Sequence, residues 1–98
     1  MKINFSENFY FLLNEIIDFI SKDKPEAARK FKKDLIVAIK KDLKFPYNYK
    51  KSFYFDDDTF RGYTHKGYTH KGYTITYKIN DEKQLVLIIG IIKNKNSY

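Results

Sequence analysis

The side chains of this 98-residue chain best suited to chemistry on a polyanion are Arg61, His65, Lys66, His70, Lys71, Lys93 and Lys95, with tyrosines interleaved among them. Cleaving an RNA phosphodiester without metal needs a base for the 2′-hydroxyl, an acid for the leaving oxygen and cations for the charge on the phosphorane. Histidine, lysine and arginine can supply all three. Arg61 is the one arginine beyond Arg29, and its planar guanidinium can grip phosphate or carboxylate through paired hydrogen bonds. The neighbouring Asp56–Asp58 run offers it an ion pair instead. His65 and His70 are five residues apart, so in one extended strand they point to opposite faces and make a poor metal pair. Both sit in a duplicated segment, which suits solvated loop residues as well as catalysis by one of them. Tyr63, Tyr68 and Tyr73 are of the type that stacks on bases, although core packing is the stronger reading for Tyr73 and Tyr77.

Other chemistries find less support. No Gly-rich phosphate loop, zinc-ligand spacing or nucleophile elbow is present, and without cysteine there is neither a disulfide framework nor a thiolate metal site. No cofactor or metal is expected. The first apolar segment is interrupted by Glu15 and Asp18, unlike a signal peptide. Leu85 to Ile92 is far short of the roughly 20 apolar residues that cross a bilayer. These features predict a single domain, 1–98, in the cytoplasm and away from membranes. The formal charge of +7 is uneven. Residues 1–60 carry twelve Lys/Arg against ten Asp/Glu, and residues 61–98 carry seven against two. The second half is therefore the expected contact face for a nucleic acid or an acidic protein.

The elements that must position these residues follow from periodicity. Ile3 and Phe5 alternate in the manner of a strand. Ser6 is placed to cap a helix, and Glu7 suits the positive end of its dipole. Phe9, Leu12, Leu13, Ile16, Ile17 and Ile20 then recur at helical spacing. Pro25 restarts the chain as a second helix, with Ala27, Ala28, Phe31, Leu35, Ile39 and Leu43 on its apolar side. That helix should end ahead of Pro46. From Tyr49 the pattern becomes strand-like. One short strand is expected over Lys51–Phe55, a turn at Asp56–Asp58, and a second strand opening at Phe60 and Arg61. A half-buried strand alternates through Tyr73, Ile75, Tyr77 and Ile79. After a turn at Asn80–Lys83, an apolar strand over Gln84–Ile92 suits a sheet centre. The expected fold is α+β: an N-terminal strand, then a helical hairpin on one face of a small antiparallel sheet.

Gly62–Lys66 and Gly67–Lys71 are identical, Gly-Tyr-Thr-His-Lys, and Gly72-Tyr73-Thr74 begins a third copy. Two full copies are too few for a solenoid. A local duplication that lengthened a hairpin is the economical account.

The order of these segments resembles the RelE/ParE superfamily of toxins from bacterial type II toxin–antitoxin systems. The resemblance runs through Pro25-Glu26-Ala27-Ala28, Phe31, Leu35 and Pro46. It continues through Lys51-Ser52-Phe53, Arg61, Lys71-Gly72-Tyr73-Thr74-Ile75-Thr76-Tyr77 and Ile91-Ile92-Lys93. Removing one pentapeptide copy restores the superfamily's usual spacing between Arg61 and the Gly-Tyr strand. The resemblance implies growth inhibition, a role in plasmid stabilisation, and an antitoxin whose disordered, often acidic segment folds around the toxin. It also implies one of two targets. RelE-type members cut mRNA on the ribosome and would here use Arg61, Lys93, Lys95 and Tyr98, with His65 as a further candidate. ParE-type members poison DNA gyrase by binding. Thr74 stands where RelE-type members carry an arginine, and ParE-type members lack that arginine too. The basic second half leans the expectation toward ribosome-dependent mRNA cleavage. Gyrase poisoning and an inactive relative are the alternatives.

Overall fold

The computed structural model describes residues 1–51, 57–67 and 72–95. In chain order the elements are β1 (Lys2–Phe5), α1 (Glu7–Ser21), α2 (Pro25–Asp42), a 3-10 turn (Pro46–Asn48), β2 (Lys50–Lys51), β3 (Phe60–His65), β4 (Tyr73–Asn80) and β5 (Leu85–Lys93). The strands form one sheet in the order β1-β5-β4-β3-β2. Neighbours from β5 to β2 run antiparallel, while β1 lies parallel to β5 with Ile3 opposite Val86. This is the α+β architecture of RelE/ParE-like proteins.

Ser6 stops the extended backbone of β1 and starts α1. Its hydroxyl accepts the Phe9 amide at 3.0 Å and donates to the Ile89 carbonyl at 3.0 Å. One side chain thus satisfies a free amide of the first turn and ties the helix to the sheet. Ser6→Ala should lower stability by about 1 kcal/mol in urea denaturation, the usual cost of a lost cap. An unchanged midpoint would remove Ser6 from this role. Pro25 opens α2, where its missing N–H leaves nothing unsatisfied.

The two helices cover one face of the sheet. Phe9, Leu13, Ile20, Ala28, Phe31, Leu35 and Ile39 pack with Tyr63, Tyr73, Ile75, Tyr77, Ile79, Val86 and Ile88 in one core. Alternation along β4 sets this division: Tyr73, Ile75, Tyr77 and Ile79 are buried, while Thr74, Thr76 and Asn80 are partly open and Lys78 is exposed. A bulge at Thr76/Tyr77 offsets the pairing with β5. Gly90 sits beside it, where a β-carbon would lie 3.4 Å from the Leu12 side chain.

Several expectations shift. The apolar β5 is an interior strand, as expected, but only because β1 returns to flank it; β4 is the middle of the five. The last turn falls at Asp81–Gln84, closed by Gln84 at φ 50°, so β5 begins one residue later than expected. The strand expected over Lys51–Phe55 is seen as β2, Lys50–Lys51, and Ser52–Phe55 lie outside the described residues.

Candidate functional site

Cross-strand register decides which candidate residues can meet. His65 pairs with Tyr73, and Tyr73 pairs with Lys93. Directly opposed side chains share a face, so these three form one row across the end of the sheet. With strands about 4.8 Å apart, His65 and Lys93 stand roughly 10 Å from each other. Arg61 pairs with Tyr77, four positions back along β3, or about 13 Å from that row. The structure therefore brings His65 and Lys93 to one end and sets Arg61 apart. Lys95 is exposed just beyond β5, and Tyr98 and His70 lie outside the described residues.

Arg61 is committed to the backbone. Its Nε donates to the Asp58 carbonyl at 2.9 Å, and its Nη1 donates to the carbonyls of Tyr49 at 2.9 Å and Tyr47 at 3.5 Å. The guanidinium also lies 5.1 Å from the centre of the Tyr47 ring. A planar five-donor group suits this task because it can bridge several acceptors at once. The contact with Asp58 is thus to its carbonyl, while the Asp58 carboxylate pairs with Lys51 at 3.1 Å. Arg61 staples β3 to the connection that follows α2.

His65 is no solvated loop residue; it closes β3 and packs beside Phe31 of α2, with ring centres 6.1 Å apart. Its Nε2 is buried without a hydrogen-bond partner among the described residues. Burial lowers its pKa, opposed more weakly by Asp34 and Asp42. A cleft of about 350 Å³ lies alongside, lined by Ala27, Lys30, Phe31, Asp34 and Gly67. Because the folded pKa is depressed, the unfolded chain takes up this proton first as pH falls. Stability should therefore decline from about pH 6.5 down toward the folded pKa. His65→Gln should flatten that part of a pH–stability profile, and a profile identical to the parent's would sink the assignment.

Tyr63 and Tyr73 do not offer rings for base stacking, and Tyr68 lies outside the described residues. Tyr63 and Tyr73 are buried; the Tyr63 hydroxyl donates to the Asp42 carboxylate, and the Tyr73 ring lies 4.9 Å from that of Phe31. Burial and the hydrogen bond to Asp42 both push the Tyr63 pKa up. Tyr63 shares its face with Arg61 and His65, two residues whose types suggest an outer face, so alternation alone gives no sign of its burial. Asp42, on the charged side of α2, is a partner that sequence alone did not single out. Nor was Asn94, which accepts the Thr74 hydroxyl at 2.7 Å.

The opposite face of the sheet carries no helix among the described residues. Rows across it run Thr64–Thr74–Ile92 and Phe60–Lys78–Leu87, with Lys50 beside Gly62 and Lys2 beside Leu85. Lys78 lies 5.1 Å from the Phe60 ring centre. This surface combines threonine hydroxyls, apolar side chains and lysines, a composition suited to holding a partner.

A basic α+β domain with this sheet order and hairpin is a RelE/ParE-type toxin fold. A model of the ParE toxin of the type II toxin–antitoxin system, parDE, matches residues 3–98, and the chain belongs to that family. It is therefore a type II toxin with a cognate antitoxin. No curated protein matches it in direct comparison.

Proposed function

We propose that this toxin arrests growth in the cytoplasm by binding DNA gyrase, as ParE-type poisons do, rather than by cutting mRNA. The observation that carries this reading is the engagement of Arg61. A guanidinium already donating to the carbonyls of Tyr49 and Asp58 would have to give up those bonds before it could stabilise a phosphorane. The face opposite the helices agrees, since its threonines, apolar residues and lysines make a composition suited to binding. One arrangement favours the second reading, ribosome-dependent cleavage of mRNA. His65, shifted toward its neutral form, shares a row with Lys93 and could serve as base with that cation about 10 Å away across Tyr73.

The two separate cleanly in one experiment on the purified chain and on cells expressing it without antitoxin. Gyrase poisoning predicts loss of supercoiling near stoichiometric toxin, an early fall in thymidine incorporation, and intact mRNA. Cuts in ribosome-bound mRNA with an early fall in methionine incorporation would overturn it and transfer the function to the His65–Lys93 row. Harmless expression would mark the chain as a relative that only binds antitoxin.

A further inference from the structure

The pentapeptide repeat lies directly beside β3 and β4, and their register gives it a consequence. In the observed pairing, Gly62–Lys66 supplies the end of β3: Gly62 faces Thr76, Tyr63 faces Ile75, Thr64 faces Thr74, and His65 faces Tyr73. The identical copy Gly67–Lys71 lies between that strand and β4. A shift of β3 by one full copy would put Gly67, Tyr68, Thr69 and His70 opposite the same four β4 residues. An ordinary slip by an odd number of residues exchanges the two faces of a strand. Here it does not, because each residue is replaced by its own kind. The tyrosine still enters the core, the histidine still meets Tyr73, and the glycine still faces Thr76.

The turn agrees as well. Gly72 already has φ +80°, which a type I′ hairpin turn needs at its second central residue, the first needing positive φ as well. In the shifted register, Lys71 and Gly72 would be the two turn residues between His70 and Tyr73. The five displaced residues would pass to the connection before β3, and loop-closure entropy changes only slowly with such exchanges.

We infer that the repeat encodes two registers of β3 against β4, and that Arg61 selects between them. Outside the repeat unit two pairings change: Phe60 faces Lys78 and Arg61 faces Tyr77 in the observed state, and His65 and Lys66 would face them in the other. Only arginine can bridge the carbonyls of Tyr47, Tyr49 and Asp58 in the way observed. The observed register is therefore the major state and the shifted one a minor state that releases Arg61 from the staple. This inference goes beyond the choice of target and holds for either.

Cysteine pairs read the register directly, because the chain has no cysteine of its own. A Phe60→Cys/Lys78→Cys pair is opposed only in the observed register. A His65→Cys/Lys78→Cys pair is opposed only in the shifted one. In the observed register those two positions are about 16 Å apart along the strand, far beyond the roughly 7 Å that a disulfide spans. Under mild oxidation the first pair should close readily and the second slowly. Adding Arg61→Lys should raise closure of the second pair on the order of tenfold, as expected for lost charge-assisted bonds. Combining Arg61→Lys with Lys66→Arg should make the shifted register the major one. Deleting residues 67–71 leaves a single copy, so only the first pair should close. As a check independent of the cysteines, amide spectra of the Arg61→Lys/Lys66→Arg chain should show cross-strand contacts from His65 to Lys78. If the His65–Lys78 pair never closes in any background, and those spectra show Phe60 beside Lys78 throughout, the inference is wrong.

Discussion

Tyr77→Ala should remove about 4 kcal/mol of folding stability, the range for deleting a large buried aromatic side chain. Tyr77 is fully buried at the bulge of the central strand. Its ring fills the space under the helices, and its hydroxyl donates to the Pro46 carbonyl. The truncation therefore opens a cavity and orphans a carbonyl in the connection after α2. Burial also pushes the hydroxyl's pKa up, which keeps it a donor across the working pH range. Since small domains hold only about 5–15 kcal/mol in total, the variant should be largely unfolded at growth temperature. Tyr77→Phe keeps the ring and loses only the bond, so it should cost about 1–2 kcal/mol. Urea denaturation of the two variants measures the difference directly. Equal losses would mean that the hydroxyl, not the packing, governs this position.

Arg61→Ala should cost about 2–3 kcal/mol, the scale for losing charge-assisted hydrogen bonds from a partly buried group. The same substitution separates a structural arginine from a catalytic one. If Arg61 acts as a staple, toxicity lost at growth temperature should return when cells are grown cool enough for the variant to stay folded. If Arg61 stabilises a reacting phosphate, toxicity should be absent at every temperature, even where circular dichroism shows a folded chain. A melting temperature equal to the parent's would refute the staple outright.

What could be read from the residues, and what could not, divides by distance along the chain. Ser6, Pro25 and the three-and-four spacing from Phe9 to Ile20 act on neighbours within a turn or two, so both helices were legible. The alternation from Tyr73 to Ile79 likewise marked β4 and its buried face. The parallel pairing of β1 with β5 was not legible, because it joins residues from opposite ends of the chain and leaves no local trace. That pairing is also what makes β5 an interior strand rather than an edge. The site suffered most. Arg61 and the Asp56–Asp58 run suggested an ion pair by adjacency, yet its partners include carbonyls of Tyr47 and Tyr49, supplied by a turn that only tertiary structure brings near. His65 reads as a loop residue because the repeat reads as a loop, whereas Gly62–His65 forms the end of β3. Tyr63 hides its burial for a different reason: its aromatic type suggests bases, and its parity with Arg61 and His65 suggests an outer face, until the register sets all three toward the helices.

The pairing of the first strand with the last also bears on synthesis. α1 packs against β5, and β1 has β5 as its sheet neighbour. Neither can settle into place until Leu85–Lys93 has left the ribosome. At elongation rates of about 5–20 residues per second, the first helix waits several seconds with only α2 to cover its apolar stripe. A message broken before the codons of β5 would yield a chain whose sheet lacks the strand joining its two ends. Such truncated products should be substrates for proteases rather than partial poisons, so toxicity would begin only with nearly complete translation.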